Sequence, residues 1–364
     1  MTRIACRLIC HSPSPHLQQI YTGLSMLHRR GLIDLTQEFI VHPSGHPGVA
    51  RHLRNAGATH AMVVLNNAIT VRYDMHDAPE IDVGDLDTCD HYFKRSFSRS
   101  YVSSLPRGAD KVLPFGLNYQ VLPDFADSFA AHRALRLPSG LKSRFSSLQE
   151  ALDAGNWRRF YPRVREMESP PDCTLAPRVL FLVTAHDPHD DPDRSQAKIE
   201  ERRQANETRA QCIRLLRREL GTMFLGGFNH SEYAVRQYGD CLTADIGVTD
   251  KERYIRTLKS YSICVATTGL HGSIGWKFAE YIACSKAILS ERLTYAVPGE
   301  FASGRNFLEF GSPAECVELA HRLIANREQR NEMMGVNADY YRAHLRPDVL
   351  LLNSLRTALS KAAQ

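Results

Sequence analysis

Short apolar runs alternate with segments of helical spacing in the first part of the chain. Ser14 and Pro15 are placed to start a helix in which Leu and Ile recur at every third or fourth position, and Gly31 ends it. The pattern further predicts strands at 4–10, 36–41 and 62–65, and a second helix at 48–56. Strand–helix–strand order with short connections is typical of a parallel sheet covered by helices.

A second series of the same kind begins after the segment ESPPDCTLAP (168–177), whose prolines and polar residues indicate a linker. We predict its strands at 178–184, 222–227, 262–268 and 287–290. We predict its helices at 195–220, 250–260 (capped by Thr249), 276–284 and 314–326, with closing helices at 339–344 and 349–363. The two series predict α/β domains at 1–170 and 171–345 that face a central cleft, with 346–364 as a helix able to pack back on the first domain.

The composition is that of an ordinary globular protein, with 364 residues, of which 43% are hydrophobic and 23% charged. The net charge of +5 is mild and spread out, which suits an anionic ligand and gives no sign of a nucleic-acid partner. The N-terminus lacks the features of a signal peptide, and no apolar run reaches the ~20 residues of a membrane span. Nine scattered cysteines without a C-x-x-C pair favour a reducing cytoplasm. We therefore expect a cytoplasmic protein, at most peripheral to the inner face of the membrane.

The stretch TTGLHGSIGWKFAE (267–280) places three glycines and a histidine between a predicted buried strand and a predicted helix. Glycines permit close approach, and a helix start offers unpaired N–H groups to an anion. The spacing matches neither a Walker loop nor G-x-G-x-x-G, so a tight structural turn is the alternative. Lys277 and Glu280, one turn apart, could form an exposed ion pair. They could instead face a diphosphate and a ribose diol.

The long helix at 195–220 carries an apolar stripe through Ile213 and Leu216. Continued backward at helical spacing, this stripe reaches Arg209 and Asn206. The polar ends of these two side chains could extend to the surface. Alternatively, the side chains could lie inward beside a strand end and bind an anion.

In the first half, Asp74, His76 and Asp77 form a D-x-H-D cluster after a probable strand, and His11 lies in the first strand–helix loop. A carboxylate or imidazole at these positions could serve as a general base. A metal site would need a third ligand at recognisable spacing, which the cluster lacks. The loop HDPHDDPD (186–193) is rich in Asp and His and so resembles a metal-binding loop, but its prolines and lack of glycine argue against an EF-hand.

With these residues in view, the second half resembles the donor-binding domain of GT-B glycosyltransferases, in particular the retaining, glycosyltransferase-4-like (group 1) families. GSIGWKFAE (272–280) aligns with their E-G-F-G-x-x-x-x-E signature, with Gly275 at the second glycine and Glu280 at the second glutamate. ACSKAILSE and the tail at 304–341 resemble the segments beyond this signature in those families, and VLPFGLNYQV resembles the turn that ends their first domain. The resemblance covers about 178–341.

The resemblance implies the GT-B fold, with two Rossmann-like domains, and a nucleoside-diphosphate sugar as donor. It implies that Glu280 contacts the ribose and that the amides of the turn lie near the diphosphate. The chain departs from the family at Gly272, which replaces the first glutamate and has His271 beside it. The usual Arg and Lys pair is also missing at its expected spacing, and Arg209 or Lys277 could substitute.

We therefore expect a glycosyltransferase that moves a sugar to a glycan or lipid-linked acceptor, in surface polysaccharide or glycoconjugate synthesis. A nucleotide-sugar epimerase of the same fold and a non-catalytic glycan- or nucleotide-binding protein are the alternatives. Neither a metal nor another cofactor is required, because amides and cations can carry the charge of the leaving diphosphate. The predicted catalytic residues are Asp74, His76 and His11. The predicted donor-binding residues are Asn206, Arg209, His271, Gly272, Ser273, Gly275, Lys277 and Glu280.

Overall fold

A computed structural model describes residues 3–10, 14–40, 59–136, 152–153 and 161–362. The chain divides into two α/β units. The first consists of Met1–Arg165, Tyr295–Gly299 and Arg342–Gln364, and the second of Glu166–Thr294 and Glu300–Tyr341. The predicted helix at 48–56 and the candidate His11 lie outside the described residues.

The first unit is built around a six-stranded sheet. Its strands are β1 (Ile4–Cys10), β2 (Ile33–Phe39), β3 (His60–Leu65), β4 (Ile69–Asp74), β5 (His91–Lys94) and β6 (Val112–Pro114). The helices on this part of the chain are α1 (Gln18–Arg29), α2 (Val83–Leu86), α3 (Arg99–Ser103), α4 (Ser128–Arg136) and α5 (Val164–Met167), which crosses into the second unit. As the sequence predicts, Ser14 Oγ accepts a hydrogen bond from the backbone N–H of His16 at the start of the first helical turn.

The strand order of this sheet is β2-β1-β3-β4-β5-β6. The predicted all-parallel arrangement is wrong, because β3 runs antiparallel to both β1 and β4. A hairpin accounts for the antiparallel pairing of β3 with β4: Asn66 and Asn67 adopt positive φ values of 50° and 55° in the short turn between Leu65 and Ile69. Asparagine tolerates this conformation, and a short turn of this kind can only join antiparallel strands.

The second unit contains a five-stranded sheet. Its strands are β7 (Val179–Val183), β8 (Phe224–Phe228), β9 (Ile263–Ala266), β10 (Ala287–Glu291) and β11 (Leu308–Phe310). Its helices are α6 (Gln196–Leu220), α7 (Glu232–Gln237), α8 (Lys251–Lys259), α9 (Trp276–Ala283), α10 (Pro313–Ala325) and α11 (Arg327–Tyr340). After a π-helical turn at 341–345, α12 (Pro347–Ala362) belongs to the first unit.

Every pair of neighbouring strands in this second sheet is parallel, in the order β11-β10-β9-β7-β8. Counted from β7, this is the 2-1-3-4-5 order of a doubly wound α/β fold. The predicted α/β class is confirmed. In such a sheet the order reverses between β7 and β9, and a ligand is expected beyond the carboxyl ends of the strands at that point.

Two helix predictions in this half were inaccurate. The N-cap of α8 is Asp250, and the Thr249 hydroxyl instead donates to the carbonyl oxygen of Ile246 at 2.9 Å. Helix α11 was not predicted from the hydrophobic pattern. Its buried face includes Arg330 and Asn337 beside the methionines, so the sequence shows no continuous apolar stripe there.

Helix α12 packs closely on α1. A Cβ atom built on Gly23 would lie 2.4 Å from the carbonyl oxygen of Pro347, so the two helices meet at backbone distance. The Tyr73 and Ser354 hydroxyls join α12 to the sheet at 2.8 Å. The apolar side chains of α12, including Leu351 and Leu355, are therefore part of the core of the first unit.

All nine cysteines are free thiols, eight of them buried and Cys173 exposed. Within the described ranges, the helices are all too short or too polar to span a bilayer.

Candidate functional site

A pocket of about 260 Å³ opens at the carboxyl ends of β7 and β8, beside the helix α9 that follows β9. It is lined by Leu182, Val183, Thr184, Gly227, Asn229, Thr249, Lys251, Tyr254, Trp276, Lys277 and Glu280. Three strand–helix connections therefore meet at this pocket, which lies where a doubly wound sheet is expected to bind its ligand.

The glycine-rich turn leads into α9 beside this pocket. The turn is held by its own backbone. The N–H of Gly269 donates to the carbonyl oxygen of Ser273 at 2.7 Å, and the N–H of Ser273 donates to the carbonyl oxygen of Leu270 at 3.1 Å. His271 and Gly272 take positive φ values of 60° and 65°, which lets the chain reverse before the helix. The alternative of a tight structural turn is therefore correct for the fold of residues 269–273 themselves.

Gly275 is the N-cap of α9, and no side chain of the described residues caps this helix start. A Cβ atom built on Gly275 would meet no atom within 4 Å in the described structure. The first turn of α9 thus presents backbone N–H groups and the positive end of the helix dipole beside open space. This combination favours an anion.

Glu280 is the buried acid of the pocket, with 3% of its surface exposed. Its Oε1 accepts a hydrogen bond from Lys251 Nζ at 2.5 Å, and its Oε2 accepts one from the Tyr254 hydroxyl at 2.7 Å. The alternative of an exposed ion pair between Lys277 and Glu280 is wrong, because the partner that binds this carboxylate comes from α8.

Lys277 shares the pocket with a second lysine. Its Nζ lies 5.0 Å from the centre of the Tyr254 ring, and Lys251 Nζ lies 5.3 Å from the same centre. Burial lowers the pKa of Lys277 to about 8; the charge of Glu280 opposes the shift, whereas Lys251 and Arg209 add to it. At neutral pH the pocket therefore holds two lysines and one carboxylate, an excess of positive charge.

Arg209 and Asn206 both lie inward on α6, with 4% and 0% of their surfaces exposed, as the helical spacing predicts. Arg209 donates to the carbonyl oxygens of Thr184 and Thr268 at 2.8 and 2.9 Å and to the Thr267 hydroxyl at 3.0 Å. Burial lowers the pKa of Arg209 to about 10, an effect that Glu291 opposes. The pocket lining in the described chain does not include Arg209, which instead joins the ends of β7 and β9.

Asn206 has a similar supporting position. Its Oδ1 accepts from the backbone N–H of His186 at 2.8 Å, and its Nδ2 donates to the carbonyl of the same residue at 2.7 Å. Both ends of the amide are therefore used to hold the loop that comes after β7.

His271, Gly272 and Ser273 lie in the turn rather than in the pocket lining. The backbone N–H of His271 donates to the Glu201 carboxylate, and the Thr294 hydroxyl donates to the carbonyl of Gly272 at 3.3 Å. Ser273 is buried. Of the predicted donor-binding residues, the structure thus brings Lys277 and Glu280 together in the pocket, with the turn and Gly275 beside them and Arg209 and Asn206 behind.

In the first unit, Asp74 ends β4 and is 1% exposed. Its carboxylate accepts hydrogen bonds from Lys94 Nζ at 2.7 Å and the Tyr92 hydroxyl at 2.6 Å, and His60 Nε2 lies 3.4 Å away. Burial alone would raise the pKa of Asp74, but the hydrogen bond and charge of His60 and the charge of Lys94 outweigh it and hold the pKa far below its usual range. Such a carboxylate is poorly placed to take a proton from a substrate.

His76 and Asp77 lie on the exposed loop after β4. His76 Nδ1 accepts a hydrogen bond from the backbone N–H of Ala78 at 3.2 Å, which places the proton of the neutral ring on Nε2. His76 is therefore set to donate a hydrogen bond rather than to accept a proton. Asp77 forms an ion pair with Arg95, a buried residue at the end of β5.

Among the residues that the structure describes, no three His, Cys, Asp or Glu side chains cluster in a way that could hold a metal ion.

Lys251 and Tyr254 line the pocket but were not among the predicted site residues. A signal was present: Tyr254 and Leu258 form the buried face of α8, and the same helical spacing extended backward reaches Lys251. The sequence could not supply the further fact that this face meets Glu280, which lies 26 residues beyond Tyr254 along the chain.

Comparison with protein families gives a match over residues 197–348, to the family described as glycosyl transferase-like. This part of the chain is similar to that family. The match confirms the resemblance to group 1 glycosyltransferases over a region that holds nearly all of α6, eight of the eleven pocket-lining residues and the glycine-rich turn. It supports a sugar transferase. No curated protein matches the chain significantly.

Solved structures with related folds show low similarity. A putative UDP-N-acetylglucosamine 2-epimerase from Listeria monocytogenes is 9% identical, with coverage of 99% of this chain and 97% of its own and a TM-score of 0.44. An α1,3-fucosyltransferase is 10% identical, with coverage of 99% and 91% and a TM-score of 0.43. The C-terminal domain of a group 1 glycosyl transferase (LpcC) from Francisella tularensis is 13% identical, with coverage of 46% and 85% and a TM-score of 0.29.

Proposed function

We propose that the pocket of the second unit binds a nucleoside-diphosphate sugar and that the protein transfers the sugar to a hydroxyl of a glycan or lipid-linked acceptor. The observation that carries the proposal is the arrangement of Lys251, Lys277 and Glu280 around Tyr254, beside the uncapped start of α9. An anion and a polyhydroxylated group are the two chemistries that such a pocket accepts side by side.

In this proposal, the diphosphate lies at the start of α9. Lys277 and the backbone N–H groups of the first turn face its oxygens, and the missing side chain of Gly275 lets it approach. When the bond between the sugar carbon and the diphosphate breaks, negative charge accumulates on the leaving oxygen. Cations and amides already in place stabilise that charge in the transition state.

The ribose would lie against Glu280, whose carboxylate accepts hydrogen bonds from hydroxyl groups. Arg209 and Asn206 support this arrangement indirectly, because they fix the strand ends and the loop from which the pocket is built. We therefore revise their proposed role from direct contact with phosphate to support of the site.

We propose that the first unit binds the acceptor. Asp74 is already held by Lys94 and Tyr92, and we assign it to the structure of that unit. Among the described residues, His76, on an exposed loop at the carboxyl end of β4, is the candidate for orienting an acceptor oxygen. His11, which lies outside the described residues, is the other candidate. Reaction would break the bond between the sugar carbon and the diphosphate oxygen and form one between that carbon and the acceptor oxygen. The proton of the acceptor hydroxyl would pass to the leaving diphosphate, which is released.

The first test is binding. Isothermal titration against a panel of nucleoside diphosphates should identify at least one ligand, and Lys277→Met should weaken its binding at least tenfold. Lys198→Met removes an exposed lysine from α6 and serves as the matched control, which should bind like the wild type. If no nucleoside diphosphate binds the wild type at millimolar concentration, the proposal is wrong.

The second test is turnover with the matching sugar nucleotide. A transferase releases nucleoside diphosphate in proportion to added acceptor. An epimerase converts the donor without any acceptor, and proton NMR of the sugar would reveal its product. Binding without either reaction across a panel of acceptors would support the non-catalytic alternative.

A further inference from the structure

The carboxylate of Glu280 is held by one protein donor on each oxygen. Lys251 Nζ donates to Oε1 and the Tyr254 hydroxyl donates to Oε2, at 2.5 and 2.7 Å. Both donors come from the first turn of α8, one helical step apart, so a single packing contact between α8 and α9 fixes both ends of the carboxylate. Lys251, Tyr254 and Glu280 all line the pocket.

We propose that Lys251 and Tyr254 are positioning residues, which orient the carboxylate of Glu280 so that it accepts hydrogen bonds from two adjacent hydroxyls. The site thereby binds ribonucleotides more tightly than deoxyribonucleotides. This inference rests on the proposed function, since it takes a nucleoside diphosphate as the ligand. It adds a selectivity, and two residues that enforce it, to the contact with ribose that the resemblance implies for Glu280.

The hydrogen-bonding capacity of a carboxylate supports the proposal. Two carboxylate oxygens offer about four acceptor positions, and the two protein donors use one on each oxygen. About one position remains on each oxygen, which is the number and spacing that a vicinal diol needs for two hydrogen bonds. A ligand that lacks one of the hydroxyls leaves a buried acceptor position without a partner, which is the costly outcome.

Burial and charge explain why two positioning residues are needed. Glu280 is 3% exposed and Tyr254 is 5% exposed, so an unpaired carboxylate would be unfavourable there. A carboxylate free to rotate could also turn toward Lys277, the other cation on the pocket wall. The hydrogen bonds from Lys251 and Tyr254 prevent this rotation, so Lys277 stays available to the anionic part of the ligand.

The competing explanation is that Lys251 and Glu280 only stabilise the fold. Ligand selectivity distinguishes this explanation from the proposal, because loss of a purely structural ion pair should not change the ratio of affinities for two ligands that differ by one oxygen atom. The measurement is therefore the ratio of dissociation constants for a nucleoside diphosphate and its 2′-deoxy and 3′-deoxy analogues, by isothermal titration.

For the wild type we expect at least about a tenfold preference for the ribonucleotide over each analogue, the usual effect of a hydrogen bond to a charged group. Lys251→Met and Tyr254→Phe should each lower that preference to about threefold or less. Lys251→Arg, which keeps a donor, should retain most of it. Arg256→Met removes a charge from the same helix at a side chain that is 72% exposed, and it should leave the ratio unchanged.

Two results would overturn the inference by itself: a wild type that binds ribo- and deoxyribonucleoside diphosphates equally, or variants at Lys251 and Tyr254 that bind more weakly with an unaltered ratio. Tyr254→Phe keeps its ring and tests the idea even if the Lys251 variant is unstable. A wild type that binds no nucleoside diphosphate would instead show that the proposed function has failed, and this inference with it.

Discussion

Arg209 donates a hydrogen bond from Nη2 to the carbonyl oxygen of Thr268, at a distance of 2.9 Å. Thr268 is the second residue after β9 and directly precedes the glycine-rich turn. The guanidinium of a buried arginine thus holds the backbone from which the turn departs, and the same group reaches the carbonyl of Thr184 after β7. We therefore expect Arg209 to stabilise the backbone around the pocket rather than to contact the ligand.

Arg209→Ala should lower the free energy of unfolding by about 3 kcal/mol, because it leaves buried carbonyl groups without their donors. Affinity for a nucleoside and for its diphosphate should fall by similar factors, since the whole turn loosens. Urea denaturation and isothermal titration measure the two effects. Arg218→Ala, on the same helix with a side chain 70% exposed, is the control. A loss limited to the diphosphate, with normal stability, would show direct phosphate contact instead.

The lowered pKa of Lys277 predicts how donor binding depends on pH. Burial lowers this pKa to about 8, so the side chain is cationic at pH 7 and becomes neutral as the pH rises. Affinity for a nucleoside diphosphate should therefore decline above about pH 8, by up to tenfold per unit, until the pH reaches the higher pKa that Lys277 has in the complex with the anion. Titrations between pH 7 and 9.5 avoid the second ionisation of the phosphate, near pH 6. In Lys277→Met this decline should disappear; a flat profile in the wild type would contradict the assignment.

Gly275→Ala separates binding from stability. The φ of Gly275 is −67°, which any residue adopts, and its added Cβ would point into space that the described residues leave open. We expect a thermal midpoint close to that of the wild type, because the lower entropy of the unfolded chain is offset by the preference for glycine over alanine at an N-cap. Affinity for the diphosphate should fall at least tenfold, because the methyl group occupies the approach to the helix start. Gly335→Ala in α11 also meets open space and should leave binding intact. Normal diphosphate affinity in Gly275→Ala would place the anion elsewhere.

The second unit was predictable from sequence to a large extent, since its elements obey local rules. The boundaries of α6 were within one residue of 195–220, and its inward polar residues were expected from helical spacing alone. Parallel strands buried on both faces produce continuous apolar runs, and β7 is such a run. The glycine-rich turn was also located correctly, between β9 and α9.

The features that could not be predicted depend on contacts between distant segments. The partners of Glu280 lie on a helix that starts 29 residues earlier, and only the packing of α8 against α9 brings them together. The donors of Asp74 likewise come from a neighbouring strand, 20 residues on in the case of Lys94. The antiparallel β3 had a local signal in Asn66 and Asn67, which mark a hairpin, but the strand was predicted to be parallel.

Asp74 should prove to be a structural residue of the first unit. Asp74→Asn would leave the ammonium of Lys94, which is 0% exposed, without its negative partner, and we expect the free energy of unfolding to fall by about 3–5 kcal/mol. Because the folded pKa of Asp74 lies below its unfolded value, its contribution is complete near neutral pH and is lost as the pH falls below about 4. Urea denaturation at pH 7 and at pH 3.5 tests both statements. A variant with unchanged stability and abolished transfer would restore the predicted role as a base.

The location of the donor is the claim on which the account depends most, and protection of lysines from an amine-reactive reagent tests it directly. The protein is labelled with and without a nucleoside diphosphate, and the modified lysines are quantified by mass spectrometry. We predict that the ligand protects Lys277 and Lys251 while Lys198 is labelled equally in both samples. Equal labelling of Lys277 and Lys251 at saturating ligand would contradict a donor site in this pocket.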